Sequence, residues 1–177
     1  MKILDIGCGP NNQKNTIGLD IVQHGNVDII HDLNMFPYPF DDNEFDEVIC
    51  YNVLEHLDNV IKTMEEVHRI SKPNSTVRIT VPTPSSFDLW NDFTHKRAFT
   101  SKCFDYFVRG TALFKQNVNQ TSFEVVKSEF EKGVHRKYWW DRLLVRGANR
   151  YKQLYERRLM YIFQIHFIYF ELKVVKQ

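Results

Sequence analysis

The first residues of the chain carry the residue types of a nucleotide-handling site. An apolar run, Lys2–Ile6, leads directly into the turn Gly7-Cys8-Gly9, and Asp20 ends the next apolar run. Glycines let a backbone approach a ligand closely, and an acid at the end of the second strand can accept hydrogen bonds from both hydroxyls of a ribose. The pattern therefore predicts a site that binds a nucleotide or nucleoside.

Three short apolar runs at the start of the chain predict parallel, buried strands. They are Lys2–Ile6, Thr16–Ile21 and Val27–His31, each rich in branched residues and bounded by Gly, Asn or Asp. Parallel neighbours usually need a return connection of roughly ten or more residues that includes a helix. The connections here are shorter, so both helices should be trimmed or absent, unless the second or third strand is wrongly placed. This edge of the sheet should then depend on loop side chains, another segment or another subunit for cover.

Beyond residue 45 the pattern alternates between strands and helices, which indicates an α/β fold. Lys72-Pro73-Asn74 should end the first helix, because proline cannot continue a helix and asparagine tolerates the left-handed conformation. The segment Pro82–Lys102 has no regular period and is expected to be a functional loop, with a short helix near residues 101–107. The predicted elements are strands over Phe45–Tyr51, Thr76–Val81, Phe123–Phe130 and His166–Val175, and helices over Val60–Ser71 and Tyr138–Phe163.

The composition is that of one globular domain. With 177 residues, 43% of them hydrophobic and 25% charged, the chain suits neither a disordered nor a fibrous class. No apolar stretch approaches the roughly twenty residues that span a bilayer, and no cleavable leader is visible, so a cytoplasmic location is expected. The three cysteines are odd in number and far apart, which indicates reduced thiols.

Charge is unevenly distributed along the chain, although the net charge is only +1. Residues 1–60 hold half of the acidic residues, but Lys2 and Lys14 are their only Lys or Arg. The acidic first part of the chain is therefore expected to bind the cofactor, and the basic remainder is expected to contact a partner. Basic residues and aromatics interleave over residues 135–158, which would suit nucleic acid or an anionic membrane surface. The commoner interpretation is a solvated basic face whose aromatic stripe lies in the core or makes a homodimer contact.

The glycine turn belongs to a longer resemblance. Leu4-Asp5-Ile6-Gly7-Cys8-Gly9-Pro10 resembles the signature loop of the class I, Rossmann-like methyltransferases that use S-adenosylmethionine. Three further segments, Phe40–Asp46, Tyr51–Leu57 and Glu65–Pro73, resemble the type-11 methyltransferase family in the same order. The resemblance implies a single domain over residues 1–177. It also implies a seven-stranded, mostly parallel sheet of order 3-2-1-4-5-7-6 with an antiparallel terminal strand.

The resemblance also implies S-adenosylmethionine as the cofactor. In that family the glycine-turn amides approach the methionyl part, the acid ending the second strand holds the ribose, and an acid after the third strand meets the adenine amine. The last two positions match Asp20 and Asp32. Asp5 lies within a buried strand, so amides of the glycine loop should satisfy its charge. The expected cofactor contacts are Asp5, Gly7, Cys8, Gly9, Asp20, Ile21, Asp32, Leu33, Tyr51 and Asn52.

Two histidines are candidates for a general base that would remove a proton from the methyl acceptor. A base speeds methyl transfer to a hydroxyl or protonated amine by roughly two to four orders of magnitude. His56 follows the fourth strand, at the edge where open α/β sheets bind ligands, and His95 lies beside Asp92 in the loop after the fifth strand. These three residues are the predicted catalytic group. The alternative for His56 is a helix-start residue packed by Leu54 and Leu57.

The loop that contains His95 is expected to bind a small acceptor. It resembles an Asp-x-Thr-His-x-Arg-x-Phe-Thr pattern found in a set of methyltransferases. Trp90 would supply an aromatic wall, and Lys96 and Arg97 would clamp a phosphate or carboxylate. Alternatively the cluster only holds the loop, with Asp92 paired to Arg97. No metal site is expected, because the remaining histidines lack ligand spacing. They are His24, His31, His68, His135 and His166.

Two other functions compete with methyl transfer. A degenerate cofactor-binding or protein-interaction module without turnover would account for the trimmed first half of the sheet. A nicotinamide-dependent dehydrogenase is less favoured, because Gly7-Cys8-Gly9-Pro10-Asn11-Asn12 lacks the final glycine of the dinucleotide fingerprint. Cofactor binding without turnover across many acceptors would favour the module.

Overall fold

The protein forms a seven-stranded sheet with helices and loops on its faces. The structure is a computed structural model that describes residues 1–11, 13–131 and 140–176. The strands are β1 (Ile3–Ile6), β2 (Ile17–Asp20), β3 (Ile29–Ile30), β4 (Phe45–Tyr51), β5 (Ser71–Pro82), β6 (Ser122–Glu131) and β7 (Phe167–Val175). The helices are α1 (Val60–Ile70), α2 (Phe87–Asn91), α3 (Trp140–Arg150) and α4 (Lys152–Leu154), with 3₁₀ turns at Gly9–Asn11, Cys103–Phe107 and Phe114–Gln116 and a π-helical turn at Tyr155–Leu159.

The strand order confirms the predicted topology. The order across the sheet is β3-β2-β1-β4-β5-β7-β6, in which β7 runs antiparallel to both of its neighbours and all other pairs are parallel. Leu4 of β1 lies opposite Ile17 of β2 and Val48 of β4. Leu4 and Val48 are fully buried, so the core lies against the middle of the sheet.

Both early connections are trimmed, as the sequence predicted. Among the described residues between β1 and β2, the 3₁₀ turn Gly9–Asn11 is the sole helical element. Residues 21–28 between β2 and β3 are all described, and none is helical. Ile21 and Ile30 are consequently 60% and 59% exposed. In the described part of the chain, this edge of the sheet lacks the usual helical cover.

Helix α1 is defined by capping and by one buried face. The Asn59 side chain accepts a hydrogen bond from the Lys62 amide at 3.0 Å, which satisfies an amide of the first turn. The helix ends at Ile70, and Asn74 adopts the predicted left-handed conformation with φ of 64°. Strand β5 begins at Ser71, earlier than predicted, because an irregularity in its pairing with β4 accommodates this turn.

Two predicted elements differ in the structure. The loop predicted over Pro82–Lys102 contains the short helix α2. The helix predicted over Tyr138–Phe163 starts outside the described residues and is broken after Arg150. The break lies at Tyr151, whose φ of −124° and ψ of 52° are not helical.

The aromatic stripe predicted for the core is largely at the surface. Tyr155 is buried, but Trp140 and Tyr151 are 45% and 60% exposed. Tyr138 and Trp139 lie outside the described residues, as do the other residues of the basic segment before 140. None of the helices in the described ranges combines the length and apolar character needed to cross a membrane.

Arg69 ties the end of α1 to the loop before β4. It donates hydrogen bonds to both carboxylate oxygens of Glu66 at 3.0 and 2.8 Å and to Asp42 at 2.7 Å. It also donates to the carbonyls of Tyr38 and Phe40 at 3.1 and 2.9 Å. One side chain thereby satisfies acceptors from a helix and a loop that are distant in sequence.

The Arg69→Met substitution should lower the free energy of unfolding by about 2 to 3 kcal/mol, because it leaves partly buried acceptors without a donor. Urea denaturation measures this loss. The control is Lys127→Met, which removes an exposed ion pair with Glu129 at 3.0 Å and should cost less than about 1 kcal/mol. Equal losses in the two variants would contradict the role given to Arg69.

The same interaction has a pH signature. Burial raises the pKa of Glu66, but hydrogen bonds from Arg69 and the Tyr38 amide outweigh it, so this pKa lies below its ordinary value. The contribution to stability is therefore complete above the ordinary carboxyl pKa and is lost as the pH falls through the lowered one. The difference in stability between the wild type and Arg69→Met should shrink on the acid side.

Candidate active site

Within the glycine turn, Gly7 occupies a position where no side chain fits. Gly7 has φ of 65°, and a Cβ atom added to it would lie 2.4 Å from Cγ2 of Val53. Its amide donates to the Leu19 carbonyl at 2.7 Å, which joins the turn to β2. Gly9 also has a positive φ, of 56°, but it borders open space. The backbone of the turn is therefore held close to the sheet edge, where a ligand can approach it.

Asp20 is held by the turn that it faces. Its carboxylate accepts hydrogen bonds from the Gly9 amide at 2.8 Å and from the Val22 amide at 3.0 Å. A carboxylate has about four lone-pair positions, so two amides leave capacity for further donors. Asp20 thus has a defined orientation and can still accept hydrogen bonds from ligand hydroxyls.

A cavity of about 320 Å³ lies at the carboxyl edge of the sheet, beside the turn. Carboxylates occur on one side of it, and Leu33, Val53 and Leu57 give it an apolar part. Six of the ten predicted cofactor residues line it, namely Gly7, Asp20, Ile21, Asp32, Leu33 and Asn52. Its other lining residues are Asn34, Val53, His56 and Leu57.

Asp32 and Asn34 both line the cavity and are joined by hydrogen bonds. Asp32 Oδ1 accepts hydrogen bonds from the amide and the side chain of Asn34 at 2.9 and 3.2 Å. The Asn34 side chain in turn accepts from the Asp58 amide at 2.8 Å, which connects this loop to the segment before α1. Asn34 was not among the predicted contacts, although it directly follows Asp32-Leu33 in the sequence.

The four other predicted cofactor residues do not line the cavity. Asp5 is buried and accepts a hydrogen bond at 3.3 Å from the amide of Gln13, which lies beyond the glycine turn, whereas the Gly7 and Cys8 amides donate to the Leu19 carbonyl and the Gly9 amide to Asp20. Burial, with a smaller effect of the nearby acids, raises the pKa of the Cys8 thiol to about 11. The Gly9 amide donates a hydrogen bond to Asp20, which lines the cavity. Tyr51 lies opposite Thr80 of β5 in the sheet.

The structure brings the three predicted catalytic residues together. His56 Nδ1 lies 2.8 Å from Thr94 Oγ1, which donates to Asp92 Oδ1 at 2.6 Å. The rings of His56 and His95 are 4.6 Å apart between centroids, and His95 Nδ1 lies 3.2 Å from the Leu89 carbonyl. Since His56 also lines the cavity, this group borders the same space as Gly7 and Asp20.

The hydrogen bonds define which ring nitrogens carry protons. The Thr94 hydroxyl gives its one hydrogen to Asp92, so it can only accept from His56 Nδ1–H. The Leu89 carbonyl likewise accepts from His95 Nδ1–H. In its neutral form, each ring therefore keeps the lone pair on Nε2. Burial, and then the neighbouring His95, lower the pKa of His56 and favour this neutral form.

Glu55 is a site residue that the sequence analysis did not identify. Its side chain is buried, with 1% exposure, and Oε2 has no hydrogen-bond partner among the described residues. Burial, together with the charge of Asp92, raises the pKa of Glu55 to about 7. The signal was present in the sequence, because an acid directly after the apolar pair Val53-Leu54 must be buried with it.

The cations predicted to clamp an acceptor are tied to Asp58. Lys96 Nζ donates to Asp58 Oδ1 at 2.6 Å, and Arg97 donates to the Asp58 carbonyl at 3.0 Å. Arg97 therefore does not form the pair with Asp92 that was considered as the alternative. Trp90 is 76% exposed, so in this structure it forms no enclosed wall. Acceptor binding by these three residues stays a prediction.

Comparison with known proteins finds similarity to a methyltransferase domain over part of the chain. Residues 4–79 match a family model described as a methyltransferase domain. An uncharacterized protein of Methanocaldococcus jannaschii is 33% identical over 109 residues, in a match that covers 51% of this chain and 46% of that protein. The match thus spans about half the length of that relative.

Solved structures show the same fold. A SAM-dependent methyltransferase from Archaeoglobus fulgidus is similar with a TM-score of 0.62 at 20% identity, covering 97% of this chain and 85% of that chain. The [4+2]-cyclase SpnF is similar with a TM-score of 0.57 at 13% identity, covering 99% of this chain and 75% of that chain. Together, the family match over residues 4–79 and the strand order show that this part of the chain is similar to a methyltransferase domain and that the whole chain has the fold of these solved structures.

Proposed function

We propose that the protein binds S-adenosylmethionine in the cavity beside the glycine turn and transfers its methyl group to a small acceptor. The observation that carries this proposal is that one cavity is lined by both the glycine turn with Asp20 and by His56. The cofactor side and the proposed base therefore share a single space of about 320 Å³.

The residues present suit the cofactor. Gly7 and Val53 both line the cavity, and Asp20 retains acceptor capacity for ribose hydroxyls. Asp32 supplies a second carboxylate for an adenine amine. The apolar side chains of Leu33 and Leu57 suit the adenine ring. Asp5, Cys8 and Tyr51 would support this site from behind the cavity.

The chain's own contribution to catalysis is positioning and proton removal. When bound, S-adenosylmethionine supplies a methyl group that is already activated by a sulfonium charge. The cavity would hold the acceptor in line with that methyl group, which supplies most of the rate enhancement. His56 Nε2 would accept the acceptor's proton, with Thr94 and Asp92 orienting the ring through Nδ1.

An anionic acceptor is favoured over a cationic one. Lys96 and Arg97 lie in the loop that carries His95; Lys96 pairs with the Asp58 carboxylate, whereas Arg97 donates to the Asp58 backbone carbonyl. The remaining positive charge would attract a phosphate or carboxylate group near the opening of the cavity. Trp90, which lies in α2 before this loop and is largely exposed, would contact the body of the acceptor.

The test of this function is cofactor binding followed by turnover. Calorimetric titration should show saturable binding of both S-adenosylmethionine and S-adenosylhomocysteine. Transfer of a labelled methyl group should then be detected with at least one member of a panel of hydroxy and amino compounds that includes anionic ones. Absence of binding would overturn the proposal.

A binding or interaction module without turnover is the second candidate. The uncovered edge of the sheet at Ile21 and Ile30 favours it, because such a surface suits a partner protein. Cofactor binding without turnover across the panel would support this candidate.

A homodimer is the proposed oligomeric state. Apolar side chains of the segment after residue 140 are exposed, among them Leu143, Leu154 and Ile162. We expect a dimer in sedimentation velocity experiments and a monomer for Leu154→Asp, whose charge would be buried at the contact. A wild-type protein that sediments as a monomer at high concentration would contradict this. Nucleic-acid or membrane contact through the basic segment is less favoured.

A further inference from the structure

Glu55, His56 and His95 form a compact group of potential ligands at the acceptor end of the cavity. One carboxylate oxygen and one nitrogen from each histidine all lie within 4.8 Å of one another. His56 and His95 are separated by most of α1, β5 and α2 in the sequence, which is why ligand spacing did not reveal the group. The fold alone brings these three side chains together.

Both imidazoles are held through Nδ1, which leaves Nε2 of each ring for a ligand. Their Nδ1–H groups donate to Thr94 Oγ1 and to the Leu89 carbonyl, at 2.8 and 3.2 Å. A metal-binding histidine commonly has its second nitrogen held in this way by a carbonyl or a hydroxyl-bearing network. Their Nε2 lone pairs are therefore available, and Asp92 Oδ2 lies 3.8 Å from His95 Nε2.

The buried carboxylate of Glu55 supplies the second observation. Its side chain is 1% exposed, and Oε2 is an acceptor without a donor in the described part of the chain. A carboxylate without a partner in a buried place is costly unless a cation or a donor meets it. Lys96 does not fill this role, since its ammonium group bonds Asp58 at 2.6 Å.

We propose that Glu55, His56 and His95 bind one divalent transition-metal ion. Two imidazole nitrogens and one carboxylate oxygen suit zinc, manganese or iron(II) better than magnesium or calcium. Ligand bonds of about 2.0 to 2.2 Å require these atoms to approach one another by roughly 1 to 1.5 Å, which side-chain rotation can provide. Three protein ligands leave a coordination position open.

The open position would serve the acceptor, an extension that rests on the proposed methyl transfer. Because His56 lines the cavity, an ion held by it would face the space in which the acceptor binds. The ion would hold an acceptor oxygen in place and lower the pKa of its hydroxyl, so that the proton leaves to water. With both Nε2 lone pairs on the ion, His56 would then position the acceptor rather than take its proton.

Metal binding can be tested without cofactor or acceptor. The whole chain, freed of metal with a chelator, is titrated with ZnCl₂ in a calorimeter and with CoCl₂ in a visible spectrometer. We expect one equivalent of each ion to bind, with cobalt showing the absorption of a low-symmetry nitrogen and oxygen site. Glu55→Gln and His95→Ala should each weaken binding by roughly tenfold or more.

A matched control excludes adventitious binding by histidine. His31→Ala removes an imidazole whose Nε2 lies 3.0 Å from the Met35 carbonyl, away from the group, and should leave metal affinity unchanged. If Glu55→Gln does not fold, His95→Ala, whose side chain is partly exposed, decides the outcome. Absence of binding, or equal binding by wild type and His95→Ala, would overturn the metal site. Titration with S-adenosylmethionine is a separate measurement. Failure of the metal site and failure of the proposed methyl transfer can therefore be recognised independently.

Discussion

Replacing Gly7 with alanine is expected to abolish cofactor binding and to lower the free energy of unfolding by roughly 2 to 5 kcal/mol. Two causes add at this position. The residue has φ of 65°, which disfavours any side chain, and the new Cβ would lie 2.4 Å from Cγ2 of Val53. Val53 is itself buried, so it cannot move aside without disturbing the core. Urea denaturation and calorimetric titration with S-adenosylmethionine measure the two effects.

The neighbouring glycine provides the matched control. Gly9 has φ of 56°, close to that of Gly7, but no atom lies within 4 Å of a Cβ added there. Gly9→Ala should therefore show only the conformational cost of about 1 to 2 kcal/mol. It should keep measurable cofactor affinity, since its amide still donates to Asp20. If the two substitutions proved equally harmful, the steric role of Val53 would be wrong.

Asp20→Ala is expected to weaken S-adenosylmethionine binding by roughly 100-fold or more. Hydrogen bonds to a charged group contribute about 1.5 to 3 kcal/mol each, and two ribose hydroxyls would lose their acceptor. The substitution also releases the Gly9 and Val22 amides, which the carboxylate now holds at 2.8 and 3.0 Å. Isothermal titration calorimetry measures the affinity.

Two further variants separate the causes. Asp20→Asn keeps an oxygen that can accept from the Gly9 amide, so it should preserve the turn but lose much of the affinity. Asp28→Ala removes a carboxylate that accepts from the Gly18 amide at 2.7 Å and does not line the cavity. The folded fraction of the Asp28→Ala variant should bind S-adenosylmethionine with wild-type affinity. Wild-type affinity in Asp20→Ala would show that the cofactor lies elsewhere.

Much of the fold was predictable because its signals are local. The apolar runs at β1, β2 and β4 end in Gly, Asp or Asn, and those residues mark the carboxyl edge of the sheet. The short connections left no length for helices, and none forms there in the described residues. Asn74 likewise has the left-handed conformation that its position after Pro73 predicted. Each of these inferences needed only neighbouring residues.

The contacts that the sequence did not predict join distant segments. Lys96 and Arg97 bond Asp58, and Glu55 lies beside His95, although α1, β5 and α2 separate the members of each pair in the sequence. A single sequence offers many acids for each cation, so residue type alone does not select the partner.

The position of β7 has a consequence for synthesis on the ribosome. This strand lies between β5 and β6 in the sheet but follows both of them in the chain. Until it emerges, one edge of β5 and the whole of β6 have no backbone partner in the sheet. Unpaired strands of this kind are the usual sites of association between nascent chains. The protein should therefore depend on chaperone protection until residues 167–175 have been made.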